Sequence, residues 1–407
     1  MTSSAKLSLA LLLLASAAGL AGAQESEAPE VGFSSIPFQF FPPGARSLAM
    51  GATFVGVADD ATAAASNPAG LVILTKPEAS AHGRFTKFPS VAENGYSSPS
   101  SSAFSPSYFS LVVPAKPFSF SAYYQQVSKI EIDRSFAGEV RFSSESAPTA
   151  FESTSRIDML LSDLGVSGAV KRGRVSLGAT LGLRRLKLDY LNENTITGDA
   201  SFSDRAAADD SDQAVVFSVG VLVNPNGRFS AGAVYKHGGS FELPYTVDFE
   251  GSLGGPVDCP AQGLCPAGPL TIPDTWGAGI GFRPTGEWLI AADASLVRYS
   301  QLSTTLFRGI PFDIYPPATN DLPPAPFDDV VQLHVGVERA FAGNPIFLAR
   351  AGAYHRPDFN KAGAVDAGAT FVTFGGGLVF GDRGQLDGAV SLSREVKEGL
   401  VSLVVRF

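Results

Sequence analysis

The sequence predicts an all-β protein: a 14-stranded antiparallel transmembrane β-barrel of the bacterial outer membrane, with an N-terminal hatch or plug. Three observations carry this. The chain is apolar, with mean hydropathy +0.14 and 17% charged residues, where soluble chains carry about 25%. Yet beyond its N-terminus it has no run of about 18 apolar residues, as a spanning helix needs. Apolar residues instead alternate with glycine, polar or charged ones, segment after segment, at the strand period of two. Tight turns and long polar loops then take turns between the segments, as in outer-membrane barrels with their even strand numbers.

The N-terminal residues come first. Lys6, the apolar run 7–20 and the small-residue site Ala21-Gly22-Ala23 form a secretory signal peptide, 1–23, cleaved before Gln24. Export and a multi-pass outer-membrane location are the expectation. Residues 24–77 precede the first strand and are considered below as the plug.

The barrel is assigned to 78–407. Strands are expected at 78–88, 105–113, 117–130, 152–170, 173–190, 212–224, 227–246, 272–283, 287–303, 328–341, 345–356, 369–380, 384–394 and 399–407. Val331, Leu333, Val335 and Val337, for example, alternate with Gln332, His334, Gly336 and Glu338. A soluble β-sandwich shows the same dyad, but a second face of glycine, polar and charged residues suits a lumen better. Tight turns follow the even strands at 114–117, 171–173, 224–227, 283–287, 342–344 and 381–384. Long loops follow most odd ones, at 89–104, 131–151, 191–211, 247–271 and 304–327. The short connection at 395–398 is the exception. This parity places both termini on the short-turn, periplasmic side. Phe282 and Trp288 flank one such turn at girdle height, and the ending on Phe407 resembles the C-terminal signal by which the barrel-assembly machinery, an expected partner, recognises outer-membrane barrels. One phase slip stands out. Leu177, Ala179, Leu181 and Leu183 take odd positions, while Leu186, Leu188 and Tyr190 take even ones. A bulge at Arg184-Arg185, or the strand leaving the membrane, accounts for it.

A barrel of this size encloses more space than its wall side chains fill. About eight strands pack solid and about 16–18 leave an aqueous channel, so this lumen needs a plug. The segment 24–77 has a legible local chemistry. Asp59 or Asp60 caps a short helix near 60–66, because a carboxylate accepts from the free N–H groups of a first turn. Pro68 ends it by biasing Asn67 away from helical dihedrals. Gly44, Gly51 and Gly56 suit close packing or unusual dihedrals.

The run "GARSLAMG…VADDATAAASNPAGL", from Gly44 to Leu71, resembles the N-terminal hatch of the long-chain fatty acid transporter superfamily of outer-membrane transport proteins (FadL/TodX type). The matching positions are Gly51, Ala58, Asp59, Asp60, Ala61, Asn67, Pro68 and Ala69. Gly44-Ala45-Arg46 and Met50-Gly51 lean towards a PorV/PorQ-like branch. Beyond this stretch only the strand number corresponds. The resemblance implies a monomeric barrel, plugged by its hatch, that passes fatty acids or other hydrophobic molecules by passive diffusion through a lateral opening. The PorV-like branch implies the alternative, a scaffold or shuttle of a secretion system. No motif of the family's fatty-acid contacts is found.

The remaining chemistry is sparse. Net charge −9 argues against nucleic acid, which wants a basic footprint. Cys259 and Cys265, in "CPAQGLC", are expected to form a loop-local disulfide. His82, His237, His334 and His355 lack metal-ligand spacing, no nucleophile–base constellation suggests an enzyme, and no metal or cofactor is expected. "GAGIG" at 277–281 alternates on one strand and reads as small lumen-facing residues rather than a dinucleotide loop. "DRAAADDSD" at 204–212 reads as a solvated loop, with calcium or lipopolysaccharide contact as the alternative; outer-membrane lipid and lipopolysaccharide are expected partners of the barrel. The ionisable lumen candidates are Arg184, Asp293, His334, Glu338, Arg350, Asp387 and Arg406. Most are expected to pair with each other and the plug, while Arg184, His334 and above all Arg350 are the candidates to meet substrate, since an arginine fork suits a carboxylate.

Overall fold

In the computed structural model the described residues are 42–88, 91–93, 96–98, 101–140, 149–197, 202–224, 227–242, 245–251, 264–265, 270–302, 328–358, 368–394 and 396–407. Period-two alternation becomes a closed antiparallel barrel of 14 strands. They are β1 (Glu78–Phe88), β2 (Ser101–Ala115), β3 (Phe118–Val140), β4 (Thr149–Arg172), β5 (Val175–Thr197), β6 (Phe202–Val223), β7 (Phe229–Lys236), β8 (Thr275–Phe282), β9 (Trp288–Val297), β10 (Val330–Phe341), β11 (Ile346–Arg356), β12 (Ala369–Phe380), β13 (Gly384–Leu392) and β14 (Lys397–Arg406). Pairing of β14 with β1, Arg406 opposite Glu78, closes the ring. Five of the six expected tight turns are present among the described residues, with Gly173 and Gly381 at positive φ; of the sixth, Gly227 has positive φ and its N donates to Asn224 Oδ1.

The outward face carries the apolar side chains. Val175, Leu177, Leu181 and Leu183 of β5 are exposed, as are Val215, Phe217 and Val219 of β6 and Val331, Leu333 and Val335 of β10. Positions 175–183 cover about 26 Å along the strand, which at the usual tilt matches an apolar band of about 25 Å or somewhat less.

Four strands run far beyond expectation. The segments 131–151 and 191–211, read as loops, are largely the outer ends of β3–β6, and Ser203–Asp212 lies within β6. Their Ser- and Asp-rich composition resembles loop because the outward positions there meet water. Pairing nonetheless continues, with the β4–β5 register unbroken from Val175 to Thr197. That register also decides the phase slip. Even positions of β5 stay inward from Ser176 to Tyr190, so Arg184-Arg185 carries no bulge and the strand simply passes its apolar band. Register shifts lie elsewhere, in β3 at Val127 and in β2 at Ser107.

Other strands are shorter. β7 stops at Lys236, not 246, and β9 at Val297, not 303. Short segments 91–93 and 96–98 pair in a hairpin, and 245–251 rejoins β6 at 202–207. The signal peptide, residues 24–41, the loop 304–327 and Cys259 lie outside the described residues. Cys265, in the short segment 264–265, pairs its backbone with Tyr245.

Residues 42–77 lie against the inner wall. They form α1 (Ala45–Ala49) and two 3-10 helices, Ala61–Ala64 and Pro68–Ile73. The helix expected near 60–66 is thus a single 3-10 turn, and Pro68 opens a second one, its fixed φ being suited to a first helical position.

Candidate functional site

The inner segment has little regular structure, so its backbone polar groups need partners from the wall. Thr373 Oγ1 donates to Ala49 O (3.1 Å) and accepts from Gly51 N (2.9 Å). Ser167 and Thr180 hydroxyls donate to Ala64 O (3.1 and 3.0 Å), and Lys236 Nζ to Ala65 O (2.7 Å). Asp293 accepts from Phe54 N (2.5 Å) and Val55 N (2.8 Å). His334 Nδ1 lies 2.9 Å from Gly51 O.

Such contacts bring backbone against backbone, and only glycine leaves room. A Cβ at Gly336 would enter Met50, and one at Gly352 would enter the peptide between Met50 and Gly51. Gly56 lies as close to Gly279, which accounts for the alternating glycines of "GAGIG". Gly51 has φ +68°, a conformation glycine adopts freely.

A charge network ties the same segment to the wall. Arg46 makes a fork to Glu338 through Nε (2.9 Å) and Nη2 (3.1 Å) and pairs through Nη1 with Asp59. Asp59 also accepts from Arg283 Nη2 (2.8 Å). Glu338 in turn accepts from Arg350 Nε (2.6 Å), whose Nη1 reaches Asp387 (2.7 Å). Glu78 accepts from Ala61 N (3.0 Å) and pairs with Arg406 Nε (2.7 Å). A polar cavity of about 210 Å³ adjoins this network, lined among others by Arg46, Asp60, His82, Glu338, Asp387 and Arg406.

The sequence-derived residues divide accordingly. Asp60 caps the first 3-10 helix, accepting from Thr62 N (2.9 Å) and Oγ1 (2.6 Å), while its neighbour Asp59 holds arginines. Asn67 caps the second, accepting from Ala69 N (3.3 Å) while donating to Val55 O (2.9 Å); Pro68 and Ala69 press on Gly178. Arg350 is wholly buried between Glu338 and Asp387, with its Nη2 buried and without a hydrogen-bond partner. Arg184 forms a fork to Asp163 (2.6 and 2.8 Å). The network's centre, Arg46, carries no local signal beyond its place in the hatch-like run.

Burial pushes the Asp60 carboxyl up to about 6, against the pull of Arg46 and the Thr62 hydrogen bond. A carboxyl raised in the folded state stabilises it at acid pH, and that contribution is lost as pH rises through about 6. Asp60→Asn keeps a capping oxygen without the buried charge. Its thermal midpoint, relative to wild type, is therefore expected to rise between pH 4 and pH 7; unfolding of the full chain in detergent at both pH values measures this.

Farther out along β3–β5 the inner face turns apolar, while the β6 positions opposite Leu186 and Leu188 are Asp212 and Asp210. Ile130, Ile157, Met159, Leu161, Leu186, Leu188 and Tyr190 are buried inward residues. They are also cross-strand neighbours, Ile130 facing Met159, Met159 facing Leu188 and Leu161 facing Leu186. The array begins one inward position beyond the Arg184–Asp163 pair.

Beside it the wall is interrupted. β6 pairs with β7 only over Ser218–Val223, and the next chain on that side, 245–251, joins at 202–207. Between these ladders the chain turns inward at Gly238-Gly239, and Ser240-Phe241 pairs with Leu270-Thr271. Phe241, Leu270 and Ile272 are buried. Asp274 holds the turn. It accepts from Gly238 N (3.0 Å) and Tyr235 Oη (2.9 Å), with His237 Nδ1 at 2.9 Å and Gln301 Nε2 at 3.3 Å. Burial opposes its charge, but these hydrogen bonds together hold its carboxyl below the usual range.

Comparison with known proteins places this geometry. No protein-family model and no curated protein matches the sequence. Among solved structures the chain is similar to the Ralstonia pickettii toluene transporter TbuX, with TM-score 0.64 and 15% identity over 91% of this chain and 99% of that one. It is similar to a Pseudomonas aeruginosa FadL homologue, with TM-score 0.65 and 15% identity over 89% and 97%. The P. putida toluene transporter TodX gives TM-score 0.62 and 16% identity over 89% and 98%. The chain has the fold of these proteins.

Proposed function

We propose that this chain is a plugged channel of the bacterial outer membrane that lets hydrophobic small molecules diffuse inward passively. The observation that carries the reading is the apolar array on the inner face of β3–β5. Beyond the apolar outward band, a wall segment facing only water on both sides has no reason to bury Leu161, Leu186 and Met159 inward. A collecting surface for apolar solutes is such a reason. The transporters and transporter homologue that share the fold support it. Residues 42–77, fixed to the wall by backbone contact and ion pairs, act as the plug.

Fatty acids and uncharged hydrocarbons both belong to this class, and the lumen favours the uncharged. Arg184 and Arg350, the cations best placed for a carboxylate, are bound to Asp163, Glu338 and Asp387. Expression in a bacterial host lacking such channels should raise uptake of labelled toluene more than of labelled oleate. Met159→Asp or Leu186→Asp, each burying an unpaired carboxylate in the array, should cut the toluene signal by about tenfold, the effect of about 1.4 kcal/mol on the passage. Host cells that take up neither compound above background would refute the reading.

A further inference from the structure

We propose that the polar cavity beside the Arg46 network is a binding site for a primary alkylammonium group, held by Asp60 and His82. The site lies apart from the apolar array and does not depend on the transport reading.

The ion pairs around the cavity leave one carboxylate over. Arg46 is shared by Glu338 and Asp59, and Arg283 also holds Asp59. Arg350 holds Glu338 and Asp387, and Arg406 holds Glu78. Asp60 completes the group without a guanidinium of its own. Its Oδ1 accepts from Thr62, while Oδ2 meets Arg46 Nη1 at 3.5 Å, longer than an ordinary N–H···O bond. A buried carboxylate with so little compensation is unfavourable, and an added cation would supply what is missing.

A second acceptor belongs to the same cavity. His82 is 4% exposed, and its Nδ1 lies 2.9 Å from Pro43 O. A carbonyl only accepts, so Nδ1 carries the hydrogen and Nε2 the lone pair. Nε2 is buried and has no partner. Asp60 and His82 both line the cavity, together with Ser80 and Ser402.

This set of groups selects its ligand. Hard metal cations take oxygen ligands, whereas a free imidazole lone pair suits an N–H donor. Among the described residues no three histidines, cysteines or carboxylates are placed to hold a metal ion. An ammonium brings one positive charge and three N–H donors, for the unpaired carboxylate, the imidazole and a serine hydroxyl. At about 210 Å³ the cavity has the volume of about seven waters, enough for the head and a short alkyl chain. Leu348 and Gln385 in its wall lie just past the tight turns at 342–344 and 381–384, so the site is reached from the short-turn side. A free small amine and a lysine side chain of a periplasmic protein share this chemistry.

The probe is butylammonium chloride, titrated into the full chain in detergent at constant ionic strength and followed by ligand-observed NMR. Saturable binding is expected at pH 7, about fivefold or more tighter than that of tetramethylammonium, which carries the charge without an N–H donor. Asp60 is faced by Arg46 and Asp59 of its own segment, Glu78 of β1 and Tyr108 of β2. Across the cavity stand Glu338 of β10, Asp387 of β13 and Arg406 of β14. The Asp60 carboxyl takes up a proton near pH 6, while an alkylammonium stays charged. Binding should therefore weaken about tenfold from pH 7 to pH 5. Asp60→Asn, which keeps the capping oxygen, should weaken binding about tenfold at pH 7 and remove the pH dependence. His82→Phe should weaken it about fivefold through the lost acceptor. Heat-modifiable migration on gels reports that each variant is folded, and the comparison of pH values in the wild type needs no variant. Nα-acetyl-lysine N-methylamide binding as tightly as butylammonium assigns the site to a lysine side chain; butylammonium binding alone assigns it to a free amine. No saturable binding at pH 7, equal binding of tetramethylammonium, or unchanged affinity in folded Asp60→Asn overturns the site.

Discussion

Arg46→Ala is expected to release the inner segment from the wall and turn a plugged barrel into a leaking one. The guanidinium holds Glu338 and Asp59 in one partly buried cluster, and Asp60 lies 3.5 Å from it. Removing one partner of a buried ion pair leaves the other charges uncompensated, at a cost of about 3–5 kcal/mol. Here two carboxylates lose their main partner at once, although Arg283 and Arg350 still reach one each. The segment should therefore loosen at its Arg46 end rather than detach throughout. Arg46→Lys should fall between, because an ammonium is a point charge and cannot reproduce the fork to Glu338. Sensitivity of expressing cells to antibiotics too large for ordinary porins measures the leak. Wild-type resistance in the alanine variant, with normal barrel levels, would show that the network does not hold the plug.

The second large effect belongs to the glycines beneath the plug. Gly352→Val places a side chain where the Met50–Gly51 peptide now lies, and Gly336→Val does the same from the adjacent strand. Overpacking usually costs about 1–3 kcal/mol when neighbouring side chains can give way. Here the neighbour is backbone held by Thr373 and His334, so the segment itself has to move. Valine favours strands, so the wall should form normally and the effect should fall on the seat. In planar bilayers, ion conductance of either variant should exceed wild type by about tenfold, towards that of larger barrels with open aqueous channels. Gly388→Val is the control. It lies on an outward position with open space around a Cβ, and its conductance should match wild type. Equal conductance of Gly352→Val and Gly388→Val would mean that the inner segment does not block the lumen.

Much of the wall was legible because its signals are local. Val331 to Val337 announce which side faces out, and turns such as Gly173 and Gly381 announce where the chain reverses. Asp60 announces a helix start through the short reach of a capping oxygen, whereas Asn67-Pro68, which reads as a stop, opens a second 3-10 helix. Legibility failed where composition and environment changed together. In β3–β6 the outward residues turn polar beyond the apolar band, and polar runs read as loop although the ladder continues. It failed again at Leu186 and Leu188. There the apolar face passes from outside to inside, which looks the same as a bulge along the sequence.

The sequence by itself determined the number of strands and, within the apolar band, the face that each residue takes, because these depend on neighbours two to four positions away. Only the tertiary structure decided which inward residues meet. Arg46 and Glu338 are 292 positions apart, and Gly51 faces Gly352 across the lumen seat. Such meetings depend on the stagger accumulated around the whole ring and on how deep the inner segment sits. A shift of one residue in register would exchange inward for outward side chains along a strand. No local pattern encodes that sum. The seat and the Arg46 network are therefore properties of the closed barrel.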